Sequence, residues 1–401
     1  MPISAYELYR SVAELLRAMH LVQPSDLAAA VNLSVRPLEM RTTIFLVDLE
    51  QRTLRALPEP GRPTPEPLPV DAGLWGEAFI NVRTTAAPDR EDQLWVPIVD
   101  GTERLGVAEL VFPGPVSVDD PDLHRGLSAL AGLIGHMIMA KSAYGDTLRA
   151  WRRSRPMSVE GELLWRNLPP LTFATEDVTI AAIVEPTYEI GGDAFDYAVD
   201  NDHARLALFD AVGHGLTASL TTVLTLAAVR SARSNGADLV SAARAADEAL
   251  TGQFGDVRYT TAVLADLDLR TGLLQYVNAG HPAPVLIRAG RAVAQLEERR
   301  RMPLGVPDDR PVVSEYQLRQ GDRLLLYTDG VIEARSPDGR QFGLDRLIAE
   351  AERHSAEGLL APEVVRRLAH GIFDRRHGQP QDDATLMLVE WAEHAGAKMV
   401  P

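Results

Sequence analysis

The chain has 401 residues, of which 46% are hydrophobic, with no Cys and a formal net charge of −16 at pH 7. That length and apolar fraction suffice for two packed domains, and the lack of cysteine excludes disulfides, thiolate metal sites and cysteine nucleophiles. The acidic balance argues against broad nucleic-acid binding, which needs clustered Lys and Arg to displace counterions from phosphates, but it leaves metal recruitment open.

Leu8, Val12, Leu15, Leu16 and Met19 recur at helical spacing, predicting an amphipathic helix over Ala5–Met19 and a second over Pro24–Leu33 capped by Ser25. MPISAYELYRSVAELL lacks the basic start and small-residue cleavage site of a signal peptide. The most apolar segment, Leu127–Ala140, contains His136 and glycines and falls short of the about 20 residues that cross a bilayer. The expectation is a cytoplasmic protein with no membrane segment and no nucleic-acid partner. Arg41–Glu50, Gln93–Val99 and Leu105–Phe112 read as strands, the last two joined at Asp100-Gly101. Leu57–Pro69 holds six prolines and reads as a surface loop. QLWVPIVDGTERLGVAELVF resembles the central hairpin of a GAF domain, which implies a sensory or dimerising α/β domain over residues 1–140. Such a domain could bind a small molecule or a protein partner. Alternatively Trp75, Phe79 and Trp95 fill a core and the domain serves only to dimerise. There is no cysteine for a bilin and no haem-ligand constellation.

Leu123, Leu127, Leu130, Ile134, Met137, Lys141, Tyr144, Leu148 and Trp151 alternate spacings of four and three, a heptad seam broken at Lys141 that two chains could share as a homodimer. Gly126, Gly132, Gly135 and Gly145 weaken a long autonomous helix, and the first half also reads as domain core. Residues 141–170 are expected to be a helical connector that passes regulation from the first domain, with a helix over Ser158–Leu168 stopped by Asn167-Leu168-Pro169-Pro170.

Beyond the connector, Val178–Val184, Arg205–Asp210, Arg258–Leu269, Leu273–Asn278, Ala283–Arg288, Val312–Leu318, Asp322–Thr328 and Ala384–Glu390 read as strands. Leu216–Arg233, Ala237–Phe254, Leu344–His354 and Pro362–Arg375 read as helices. Helices inserted within a strand-rich run favour an α+β layered sandwich. Four aspartate-bearing corners interrupt it. Asp193 follows Gly191-Gly192, which would let the backbone bend sharply. Asp210 ends a buried strand before Gly213 and Gly215, Asp329 ends another before Gly330, and Asp382-Asp383 opens the last. Carboxylates facing one cleft would raise each other's pKa unless cations sat among them, and oxygen-only ligands suit Mg²⁺ or Mn²⁺. Water held between two such ions is a ready nucleophile for phosphate monoesters.

GGDAFD, DAVGHG, NAGHPAP, PLG, YTDG and DDAT, in this order over roughly residues 171–391, resemble the bacterial PPM phosphatases of the SpoIIE/RsbU type, relatives of protein phosphatase 2C. The resemblance implies an α-β-β-α sandwich over residues 171–392, followed by a tail over 393–401. It implies two Mn²⁺ or Mg²⁺ ions and direct attack of a metal-bridging hydroxide on phosphoserine or phosphothreonine, without a phosphoenzyme. The protein partner it implies is a phosphorylated anti-sigma-factor antagonist. The ligands carried over are Asp193, Asp210 with the carbonyl of Ala211, Asp329 and Asp382, and Asp383 stands where eukaryotic relatives have Asn. The phosphate-binding arginine of those relatives has no counterpart in Glu185–Ile190. His214 and His281 invite an acid role, since imidazole is the side-chain type suited to proton transfer at neutral pH, but a ring holding the NAGHPAP turn and a helix-opening His are the simpler readings, and Pro303-Leu304-Gly305 reads as a tight turn near the site. Two alternatives stand beside this one: a catalytically weak binding module that kept the fold, and a nucleotide cyclase, because GGDAF is one residue from GGDEF.

Overall fold

The computed structural model describes residues 5–255, 258–308, 310, 312–335, 339–373 and 382–401. The first four residues, the last two of the helix expected over Pro362–Arg375, and Gln379-Pro380-Gln381 ahead of Asp382 lie outside the described residues. The chain divides into two compact units, Met1–Pro156 with Ala397–Pro401, and Met157–Gly396. Among the described residues no helix is long and apolar enough to cross a membrane.

The first unit contains α1 (Ala5–Ala18), α2 (Leu27–Val35), β1 (Arg41–Val47), β2 (Thr53–Ala56), β3 (Leu68–Pro69), α3 (Gly73–Asn81), β4 (Thr85–Ala87), β5 (Arg90–Asp100), β6 (Glu103–Val111), α4 (Pro121–Ser142) and α5 (Thr147–Trp151). Its strands form one antiparallel sheet in the order β3-β2-β1-β6-β5-β4. The expected hairpin is the β5-β6 pair, turned through Gly101 at φ 58°, where glycine alone is unstrained. Side chains alternate across β1: Ile44 and Leu46 face the helices, against Leu27, Val31 and Leu130, while Phe45 and Val47 meet Phe79 and Trp95 on the other face. Trp75 and Trp95 touch edge to face with centroids 5.5 Å apart, so these aromatic rings fill that side.

Two expectations for this unit are corrected. Ser25 caps no helix, because it lies inside a 3-10 turn, Pro24–Asp26, and α2 starts after it without a side-chain cap. The seam from Leu123 to Trp151 is not one helix. α4 ends at Ser142, Ala143–Asp146 interrupt it, and Tyr144 is left 82% exposed. Leu123, Leu127, Leu130, Ile134 and Met137 are all buried in the unit's own core, so they offer no shared face to a second copy.

The second unit opens with α6 (Val159–Trp165), capped by Ser158 Oγ accepting from Gly161 N at 3.0 Å. There follow β7 (Thr172–Ala174), β8 (Val178–Glu185), β9 (Asp193–Asp200), β10 (His203–Ala211), α7 (Gly215–Ser234), α8 (Leu239–Phe254), β11 (Thr260–Asp268), β12 (Leu273–Ala279), β13 (Val285–Arg288) and β14 (Arg291–Gln295). β15 (Arg300–Arg301), β16 (Ser314–Gln317), β17 (Asp322–Tyr327), α9 (Asp329–Glu333), α10 (Leu344–Ala356), α11 (Ala361–Phe373) and β18 (Ala384–Trp391) complete it. A first sheet runs β15-β12-β11-β10-β9 with β16 also on β12, and a second runs β14-β13-β17-β18-β8-β7.

The two sheets share a core in which Ile180, Val184, Phe195, Leu208, Leu326 and Met387 meet, roofed by Leu226 of α7 and Leu250 of α8. Ala181, Ile183, Leu325 and Leu388 pack on the opposite face, beneath Leu347 of α10 and Val364 and Leu368 of α11. Burial on both faces explains why β8 reads as an unbroken apolar run rather than an alternating one. The layers are therefore helix, sheet, sheet, helix.

Replacing the seam residue Leu130 by Ala should lower the stability of the first unit by about 2–5 kcal/mol in denaturant unfolding, the cost of emptying a buried leucine site. Sedimentation of the folded chain should stay unchanged; a variant that alters self-association at full stability would restore the shared-seam reading.

Candidate functional site

Three antiparallel strands and one strand-to-helix step bring the sequence-marked aspartates to a single corner. β9 and β10 pair with Asp193 opposite Asp210, and β10 pairs with β11 so that Asp210 also faces Thr261, whose hydroxyl lies 3.5 Å from Asp210 Oδ2. From the second sheet, β17 ends at Tyr327 and α9 begins at Asp329, beside Asp382 and Asp383 ahead of β18. Thr328 ties the two sheets together: its hydroxyl donates to Asp193 Oδ2 at 2.6 Å and accepts from Thr385 N at 2.8 Å.

The glycines act here by allowing close approach. Gly191 and Gly192 are absent from the left-handed region, so the sharp bend expected before Asp193 is not their purpose. Both donate their N–H to Asp383 Oδ2, Gly191 at 2.8 Å, and a Cβ at 192 would stand 2.9 Å from the carbonyl of Ala211. A Cβ at Gly330 would fall 1.8 Å from the carbonyl of Asp383, which no side chain can accommodate. The glycine after Asp329 is thus required by the crossing of α9 and the start of β18.

Burial dominates the electrostatics, and the aspartates add to it. Asp193 is 1% exposed, and desolvation, with the charges of Asp210 and Asp383 behind it, pushes its pKa well above the ordinary carboxylate value despite the Thr328 bond. Asp210 is raised to about 8, first by burial and then by Asp329, Asp382 and Asp383. Asp383 is raised by burial against the opposing pull of the Gly192 and Gly191 N–H groups. Among the described residues the hydrogen-bond partners of Asp193 and Asp383 are the Thr328 hydroxyl and backbone N–H groups, and the Thr261 hydroxyl lies beside Asp210; none of these is a cation. Among the described residues no three His, Asp or Glu side chains already form a closed cage for one ion. Such a donor set suits an ion that takes few protein ligands and completes its shell with water, the habit of Mg²⁺.

The two histidines separate cleanly. His281 is buried, and desolvation drives its pKa down to about 3, so its ring is neutral. Nε2 lies 3.1 Å from the Tyr327 carbonyl and Nδ1 2.7 Å from the Thr261 hydroxyl, so the N–H is assigned to Nε2 and Nδ1 accepts. Asn278 closes the turn through His281 N at 2.8 Å and His281 O at 3.0 Å. The ring thus braces β17 against β11 and is unsuited to donate a proton at neutral pH. His214 is exposed at the start of α7 and makes no capping bond. Pro303-Leu304-Gly305 is a turn bridged to Thr260 by paired 2.9 Å bonds, with Gly305 at φ 90°.

The sequence did not reveal the part played by Asp383, Thr328 or Thr261, since a single Thr beside an Asp has no motif of its own. The DD and YTDG patterns would have pointed to the first two only through their neighbours.

Residues 200–392 match the family described as Stage II sporulation protein E (SpoIIE). The chain is 27% identical over 221 residues to phosphoserine phosphatase RsbP of Bacillus subtilis, covering 54% of this chain and 53% of that one. It is 24% identical over 218 residues to phosphoserine phosphatase RsbU of the same organism, covering 53% and 63%. The chain therefore spans about half of the first relative's own length and just under two thirds of the second's. A solved structure of the RsbU and RsbW domains of a Mycobacterium tuberculosis protein aligns with a TM-score of 0.49 and 28% identity, covering 55% of this chain and 62% of that one.

A raised folded-state pKa means that the folded chain keeps a proton which the unfolded chain loses. In chelator, the Asp210 contribution to stability should therefore be present below pH 3.8 and drain away as pH rises towards about 8. Asp210→Asn, which cannot ionise, should gain on the wild type in thermal denaturation across that window. Added Mn²⁺ should reverse the order at the upper end, and parallel pH profiles without metal would contradict the raised pKa.

Proposed function

We propose that the second unit is a divalent-metal-dependent protein serine/threonine phosphatase. The observation that carries this reading is the corner itself, where buried Asp193 and half-buried Asp210 and Asp383 come together, bonded to no cation among the described residues, and have their pKa values raised first by desolvation and then by neighbouring aspartates. Asp193, Asp210, the Ala211 carbonyl, Asp329 and Asp382 would hold two Mn²⁺ or Mg²⁺ ions. When bound, such ions supply Lewis acidity and bring water within reach of ionisation near neutral pH.

The chain's own residues then have separable tasks. Thr328 fixes the orientation of Asp193, and Asp383 anchors Gly191 and Gly192 so that Asp193 and the Ala211 carbonyl lie side by side. The two sheets keep bulk water from the inner face of the corner. A cysteine phosphoenzyme is excluded because the chain has no Cys, and the neutral His281 ring is taken up by Thr261 and Tyr327. Transfer therefore goes directly to water.

The substrate class follows from the relatives, two of which are named phosphoserine phosphatases. A phosphoserine or phosphothreonine on a regulatory protein, of the anti-sigma-factor antagonist kind that the motif resemblance implies, is the reading proposed here. The first unit would regulate it as a GAF-like domain, a reading supported by the β5-β6 hairpin within a six-stranded antiparallel sheet. Filling by Trp75, Phe79 and Trp95 favours a partner-binding role for that unit over a pocket on its aromatic face. The cyclase alternative loses its motif, since the GGD glycines here serve Asp383.

With Mn²⁺, the protein should release phosphate from a phosphoserine-bearing protein, and chelator or Asp193→Asn should reduce the rate to background. Thr328→Val, which keeps the shape and loses the hydroxyl, should weaken Mn²⁺ binding by about 10–100-fold in titration calorimetry. Full turnover in excess chelator, or capture of a phosphorylated enzyme during turnover, would overturn the proposal.

A further inference from the structure

A dianionic phosphate entering a corner built of aspartates needs a positive group that those aspartates have not already claimed. The arginines of the second unit are mostly claimed. Arg230 and Arg233 hold Asp196 at 2.6 and 2.7 Å, Arg288 holds Asp322 at 2.7 Å, Arg301 holds Asp247 at 2.7 Å, and Arg323 holds Glu390 at 3.1 Å.

Arg258 differs from all of these. It precedes β11 and is half-buried, and among the described residues its hydrogen-bond partner is a backbone carbonyl, Val212 O, reached by Nη1 at 3.4 Å. The β10-β11 register fixes where it stands. Asp210 faces Thr261, Ala211 faces Thr260, and Val212 N donates to Tyr259 O at 3.1 Å, which places Arg258 beside the next residue, Gly213. At Gly213, φ is 91°, and a Cβ would lie 3.3 Å from Arg258 Nη1. Glycine at this position therefore leaves the guanidinium room along the rim of the loop that follows Asp210 and Ala211. The backbone of Arg258 is held in turn, because its carbonyl packs against Gly305 of the bridged Leu304 turn, where a Cβ would come within 2.7 Å.

We infer that Arg258 receives the substrate's phosphate at this site, its N–H groups that bond no other described residue taking the phosphoryl oxygens that face away from the aspartates. A planar guanidinium suits the task, because it can give two parallel N–H bonds to one phosphate. Beside the loop that follows Asp210 and Ala211, and bonded among the described residues to a backbone carbonyl and to no carboxylate, it is a cation placed for a ligand rather than for the fold. The assignment rests on the phosphatase reading and supplies the positive group that Glu185–Ile190 does not provide.

The test uses the full chain loaded with Mn²⁺ and compares wild type, Arg258→Ala, Arg258→Lys and Arg270→Ala. Arg270 is an exposed arginine beyond the other end of β11 and controls for the loss of one charge. Three quantities are read: the affinity for inorganic phosphate by calorimetry, KM and kcat for an aryl phosphate, and the affinity for Mn²⁺. Arg258→Ala should weaken phosphate binding and raise KM by about 10–100-fold, the range for losing charged hydrogen bonds, with Mn²⁺ affinity and melting temperature unchanged. Arg258→Lys should fall between, and Arg270→Ala should match wild type. Equal phosphate affinity in wild type and Arg258→Ala overturns the assignment, as does a lack of measurable phosphate binding by the loaded wild type. Absence of turnover in the wild type refutes instead the phosphatase reading, since phosphate affinity is measured without turnover.

Discussion

The second unit depends on a repulsion it has to contain. Two unit charges 4 Å apart interact by about 4 kcal/mol at an effective dielectric near 20, several times the net worth of an ordinary hydrogen bond. A corner with Asp193, Asp210 and Asp383 drawn together therefore cannot stay fully ionised on hydroxyl and N–H contacts alone. Protons or metal cations must neutralise it. Burial and neighbouring charge raise the Asp210 pKa towards neutrality, so a proton is kept there, and a metal would have to displace it.

Much of the surrounding fold exists to hold these groups close in spite of that cost. The β9-β10-β11 register sets Asp193, Asp210 and Thr261 in a row, while Thr328 pins the end of β17 to both Asp193 and β18. Glycine occurs where two backbones must come nearer than a Cβ permits, at 192 against Ala211 and at 330 against Asp383. Replacing the pinning hydroxyl or filling either gap would move a carboxylate, and the metal site proposed above would tolerate little displacement of its ligands.

The parts of this arrangement legible in the sequence are those with periodicity or a turn signature. β8, β17 and β18 are buried on both faces and read as apolar runs, and α7, α8, α10 and α11 carry helical spacing. β9 was not recognised as a strand because DAFDYAVD mixes aspartates with apolar residues; only pairing to β10 shows that Asp193 and Asp196 are buried for different reasons, one in the corner and one between Arg230 and Arg233. In the first unit the seam pattern was genuine but ambiguous. Spacings of three and four describe a helix against any apolar surface, and only the sheet beside α4 shows that the surface is its own. Arg258 left no trace in the motifs, because its place comes from the register of two strands and from a glycine forty-five residues earlier in the chain.

The paired aspartates ahead of β18 illustrate how one motif serves two ends. Asp382 is exposed and Asp383 half-buried, so the two carboxylates do different work. Asp383 turns inward and accepts both glycine N–H groups, which hold part of its charge but leave its pKa raised by burial. Asp382 stays exposed, accepts Asp383 N at 3.0 Å, and still adds its field to Asp210. Asp382 thus contributes charge to the corner from its exposed side, and Asp383 fixes the backbone on which Asp193 rides. A carboxylate is well suited to that inner position because each of its oxygens can accept more than one N–H, and two adjacent glycine amides can approach a single oxygen where side chains would keep them apart.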